Sequence, residues 1–217
     1  MQRPLITTLD RGFRYTEVDW HIDWREQSPG VSTNGVRRIH IGALPRWVGT
    51  PTGRLFRDEI GPYRAGLLAG RGMTGIFRVR MSDAAVFFTS ARPQVSFSDN
   101  ATFSDGSGFA NPATVLCVEG GASGATSLLV DDTEHPVTAG QIMSHDDWPF
   151  AVTSALPEGD HTRITFEMPL RVAIPDNSLL ECTGVGLFEF VEQGSGRVAY
   201  GGRLVAEPQL TIQEWLR

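Results

Sequence analysis

From Gly140 to Gly184 apolar and polar residues alternate in short runs, the period-two pattern of strands with one face buried and the other wet. In HTRITFEMPL, Ile164, Phe166 and Met168 fall on one face and Arg163, Thr165 and Glu167 on the other. Upstream, GQIMSHDDWPFAVTS reads as a strand, a turn carrying Asp146 and Asp147, and a second strand in which Phe150 and Val152 alternate with polar neighbours. Downstream, IPDNS marks a turn before a last strand. The stretch is expected to form one compact β unit.

The alternation begins at Ala113, through TVLCVEG and TSLLVDD, and closes near Gly184. Before it, EVDWHIDW and GVRRIHIGALPRWVG are two alternating runs around the turn-rich QSPGVSTNG, as in a hairpin-like pair of strands. RDEIGPYRAGLLA, residues Arg57–Ala69, is the one segment that reads as a helix. Asp58 and Glu59 suit its positive end, Gly70 and Gly72 its stop, and Gly61 and Pro62 argue that it is short. IFRVRM then supplies a strand with Phe77, Val79 and Met81 as its buried face, and LFEFVEQGSGRVAYGGRLVAEPQLTIQEWL reads as three more. The apolar faces of both flanks need partners that the central unit does not supply. The expected fold is mainly β: a discontinuous β-sandwich-like outer domain, residues 1–112 plus 185–217, with one short helix, interrupted by a small OB-like β-barrel, residues 113–184.

The wording of the central unit resembles the small inserted β-barrel of the distal tail proteins at the tail tip of long-tailed bacteriophages. The resemblance rests on Ala139-Gly140-Gln141-Ile142, Phe150-Ala151-Val152-Thr153, Met168-Pro169-Leu170-Arg171 and Asp176-Asn177-Ser178. It covers roughly a third of the chain, and the flanks follow by layout. It implies a structural virion protein at the tail tip, made in the host cytoplasm, whose homo-oligomeric ring, a hexamer, joins the tail tube to the receptor-binding tip. The implied partners are the tail-tube protein, the tail hub and other tail-tip proteins. A tail-tube subunit and a carbohydrate-binding or hydrolysing β protein are the alternatives. A hub protein carrying an iron–sulfur cluster is disfavoured, because two cysteines cannot supply four thiolates.

Charge narrows the partners. All 19 basic residues are arginine; residues 1–100 hold 14 Arg against 9 Asp and Glu, and residues 101–217 hold 5 against 16. The acidic second half argues against broad nucleic-acid binding by that half, since phosphate contact needs a cationic surface, and no sequence-specific nucleic-acid partner is expected. No apolar run approaches bilayer length and the N-terminal MQRPLITTLDRG has no apolar signal core, so neither membrane anchoring nor a cleaved leader is expected. Cys117 and Cys182 are expected to be buried, reduced thiols.

Candidate chemistry is sparse. His21 and Asp23 share a strand face, His145 precedes Asp146 and Asp147, and Asp160 precedes His161, but none of these pairs has an evident third metal ligand. Ser107 has no positioned base, and Asp99-Asn100 and Asp105-Gly106 lack the spacing of a calcium loop. Neither catalytic residues nor a cofactor nor a metal is expected, and the chain is not expected to be an enzyme. The residues put forward for interaction are aromatic: Trp148 and Phe150 at the DDWPF turn, and Phe97, Phe103 and Phe109, spaced six apart in the Ser- and Gly-rich segment 89–112.

Overall fold

The computed structural model describes residues 3–7, 9, 13–26, 39, 42, 44–83, 85–86, 94–95, 109–110 and 113–217. In chain order its strands are β1 (Leu5–Ile6), β2 (Arg14–Glu17), β3 (His21–Asp23), β4 (Arg46–Gly49), β5 (Thr52–Phe56), β6 (Ile76–Met81), β7 (Gln94–Val95), β8 (Phe109–Ala110), β9 (Thr114–Glu119), β10 (Ser127–Asp131), β11 (Ile142–His145), β12 (Trp148–Glu158), β13 (His161–Glu167), β14 (Ser178–Glu181), β15 (Gly184–Phe190), β16 (Val205–Ala206) and β17 (Ile212–Glu214). Among the described residues the one α-helix, α1, spans Arg57–Gly70, and a single 3-10 turn follows at Gly72–Thr74. The fold is mainly β, with open sheets and a small closed barrel.

Two compact units divide the chain: residues 1–80 with 186–217, and residues 81–185. In the first, a six-stranded sheet runs in the order β1-β6-β15-β17-β4-β3, and β16-β5-β2 forms a second, three-stranded sheet. The expected hairpin-like pairing of HID with RWVG is β3 against β4, with His21 opposite Val48. Phe77 and Val79 of β6 are fully buried, as their parity requires.

Helix α1 is longer than Gly61 and Pro62 led us to expect, running 14 residues. Glu59 reaches back to accept the backbone N–H of Phe56 at 2.8 Å, which satisfies a donor that the first turn leaves open. Pro62 removes only one intrahelical bond. The helix ends where Arg71 and Gly72 take left-handed φ angles of 52° and 67°. Ile60, Tyr63, Gly66 and Gly70 form its buried face, and the absence of a side chain at Gly70 leaves room for Phe77, which packs on Phe190 at 4.5 Å between ring centres.

The second unit contains the barrel, closed in the order β10-β13-β12-β11-β14-β9 with every pairing antiparallel. It has six strands, one more than an OB-fold. Among the described residues its buried core runs from Val115 to Cys182, with Leu128, Met143, Phe150, Ile164 and Phe166 among its members and Ala113 packed against it. Ile164 and Phe166 point inward from β13 as expected, and Met168 is buried beyond the strand end, through a left-handed φ of 66°. The β11–β12 turn has Asp146 and Asp147 at φ 50° and 61°, the pair of positive angles of a two-residue hairpin loop, with His145 opposite Trp148.

Closure of the barrel is thin at one seam. β11 and β14 share a single paired position, Ser144 opposite Glu181. Buried side chains reinforce it: Gln141 Nε2 donates to the Cys182 carbonyl at 2.8 Å, and the Ser144 hydroxyl accepts the Val185 N–H at 2.9 Å. The same seam leads the chain into β15, which lies beside β6 in the outer sheet, so the segment between them leaves and returns on neighbouring strands. A Cβ built at Gly184 would stand 3.4 Å from that of Met81.

Candidate functional site

Trp148 is half-buried at the start of β12, with the Arg171 guanidinium 5.3 Å from the centre of its ring. Phe150 is not a surface residue: it is 3 % exposed and packs on Phe166 at 4.7 Å between ring centres. Strand parity gives the reason. Trp148, Phe150 and Val152 share one face, and the latter two enter the core, leaving Trp148 the shallowest of the three. Phe97 and Phe103 lie outside the described residues, as do Ser107, Asp99-Asn100 and Asp105-Gly106. Phe109 is described only by its backbone, paired with Val95.

The acid–histidine pairs do not converge. The Asp19 carbonyl lies 2.9 Å from His21 Nδ1, while Asp23 accepts the Arg25 N–H at 2.9 Å and stands 3.9 Å from Arg46. His145 Nδ1 and Asp146 are 3.8 Å apart. Among the described residues no three His, Cys, Asp or Glu side chains are grouped to hold a metal, and no helix is long and apolar enough to cross a membrane. Cys117 and Cys182 are free and buried. Burial is the main cause that pushes their thiols up to about 11 and about 12, away from the thiolate that chemistry would need.

On the outer barrel surface Arg163 of β13 gathers two carboxylates, Glu158 of β12 and Glu119 of β9, each at 2.8 Å. The Arg163 hydrogen bond holds the Glu158 carboxyl below its usual range. This triad ties β12 and β13 across β10 to β9 and leaves the tip of the β12–β13 hairpin free of it. From Leu156 to Asp160 every residue is exposed, and Gly159 takes a φ of 64° in the loop between Glu158 and His161.

Sequence reasoning missed a cleft of about 330 Å³ within the first unit, between the end of α1 and the chain from Phe190 to Val198. Leu67, Leu68, Phe190 and Val198 give it an apolar floor, with Arg64 and Arg197 among its lining residues. Its far wall is rigidly tied. Ser195 accepts the Thr211 N–H at 2.6 Å, the Gly196 N–H donates to Gln209 at 2.8 Å, and the buried Tyr63 hydroxyl donates to the Gly196 carbonyl at 3.1 Å. Burial drives the Tyr63 phenol well above its ordinary value, so it stays a donor. Gly194 and Gly196 supply φ angles of 93° and 72° that the turn requires. One sequence signal was available: Leu67 and Leu68 are consecutive, and a helix cannot bury both on one face. Leu68 is the one left out, 72 % exposed.

No protein-family model matches the chain, and no curated protein matches it.

Proposed function

We propose that the chain is a structural virion protein, a distal tail subunit at the tail tip of a long-tailed bacteriophage. Its copies form a homo-oligomeric ring, hexameric as the resemblance implies, between the tail tube and the receptor-binding tip, in contact with tail-tube, hub and other tail-tip proteins. Its role is connection, without catalysis or cofactor.

The observation that carries this reading is the splice. A closed barrel with its own core is set into an outer β unit through two adjacent strands, β6 and β15. An insert with neighbouring ends leaves the host sheet continuous, which suits a ring subunit in which the outer unit and the barrel each keep a surface for a neighbouring copy. The motifs that resemble the tail-tip family fall in or beside that barrel, at residues 139–142, 150–153, 168–171 and 176–178.

Electron microscopy of the purified chain tests the proposal. Closed annuli with a central lumen are expected. Isolated particles that bind a glycan resin would instead favour the carbohydrate-binding alternative.

A further inference from the structure

The cleft and the barrel hairpin are chemically complementary. Among the described residues neither Arg64 nor Arg197 forms an ion pair; Arg64 has only the Tyr200 hydroxyl, at 2.8 Å, and its ring. An apolar cleft bearing two cations that no described carboxylate pairs with fits a ligand that is apolar with carboxylates close by. The hairpin tip has that composition. Leu156 is 62 % exposed, Glu158 lies two residues on and on the same strand face, and Asp160 in the loop has no ion pair or hydrogen bond among the described residues.

We propose that the cleft receives the β12–β13 tip of a second copy of this chain, with Leu156 entering against Leu67, Leu68 and Val198 while Glu158 and Asp160 face Arg64 and Arg197. The inference rests on the ring reading and names its contact. Cleft and hairpin are different surfaces, so the contact is head-to-tail, and a head-to-tail contact that closes makes a ring. Arg163 keeps Glu158 on the side of the hairpin that also presents Leu156. The cleft wall, tied to residues 209–211, is formed before any partner arrives, which limits the ordering cost of docking.

Sedimentation of the full-length chain tests this with two exposed-surface variants, Arg64→Glu with Arg197→Glu, and Leu156→Arg. The unsubstituted chain is expected to form rings and each variant alone to lose every species larger than a monomer. Mixed in equal amounts, the variants still offer one intact cleft and one intact hairpin, so dimers and nothing larger are expected. A second measurement needs neither variant: a chain carrying Leu68→Cys and Leu156→Cys should, on oxidation, give a ladder of cross-linked species ending at ring size. Rings that survive both variants without cross-linking would overturn this contact and leave the ring reading standing. Rings lost with the arginine changes but kept with Leu156→Arg would also overturn it, by showing that another segment fills the cleft. An unsubstituted chain that is monomeric at every concentration and salt would overturn both.

Discussion

The Ser144 hydroxyl accepts the backbone N–H of Val185 at 2.9 Å, joining the barrel's shortest ladder to the strand that returns to the outer sheet. Ser144 is fully buried, so Ser144→Ala leaves that N–H without its partner in a site that water does not reach. The expected cost is about 1–3 kcal/mol, read as a lower denaturant midpoint. Ser144→Thr keeps the hydroxyl and should lose less unless the added methyl clashes; an unchanged midpoint in the alanine variant would remove the seam from the account.

Gly70→Ala sets two effects against each other. Alanine favours a helix by up to about 1 kcal/mol over glycine, but its Cβ would stand 2.5 Å from Phe77 Cζ. Phe77 is fully buried against Phe190 and has little room to yield, and overpacking of this kind costs about 1–3 kcal/mol. Net destabilisation is expected in thermal unfolding. Gly120→Ala should be worse, because its Cβ would overlap the Ile174 carbonyl, which is backbone.

Legibility followed range. The inward set Ile164 and Phe166 was readable because a strand's period is local, and the hairpin loop was readable from Asp146-Asp147. Phe150 reads as a surface aromatic from its place in DDWPF, whereas its parity with Val152 points inward, and the period prevails: it is buried. The three strands read over residues 187–216 are present as β15, β16 and β17; between the first two only Tyr200 makes a bridge, to Ala206, because Gly194 and Gly196 turn the chain over Tyr63. The cleft depends on α1 meeting residues 190–198, a contact far apart in sequence that periodicity does not encode.

Among the described residues the barrel's buried core cluster lies within 115–182, with Ala113 packed against it. A fragment spanning residues 113–185 retains that cluster and the Ser144–Val185 bond, and is expected to unfold cooperatively on its own. A fragment with no cooperative transition would show that the barrel depends on residues outside that span.

Thiol chemistry gives a pH test. In the folded chain the thiols lie at about 11 for Cys117 and about 12 for Cys182, above the ordinary 9.0. Above pH 9 the unfolded chain releases protons that the folded chain keeps, so the unfolded state binds fewer and stability falls as pH rises from 9 through the folded values. A thiol-reactive chromophore at pH 8 should label neither cysteine in the native chain and both in denaturant. Native labelling at the rate of free cysteine would contradict their burial.

Assembly should weaken with salt. The first hundred residues carry 14 Arg against 9 acids and the remainder 5 against 16, and the charges of the proposed contact are exposed until docking, where a screening length of about 10 Å at 0.1 M salt attenuates their attraction. Sedimentation across a salt series should show rings giving way to smaller species. A ring indifferent to salt would reject the role of charge and leave the apolar contact of Leu156.

Native mass spectrometry of the purified chain tests the central claim most directly. The account predicts one dominant assembly with the mass of six 23.7 kDa chains and no bound nucleic acid. A spectrum containing only the 23.7 kDa monomer at concentrations where tail rings would form contradicts it.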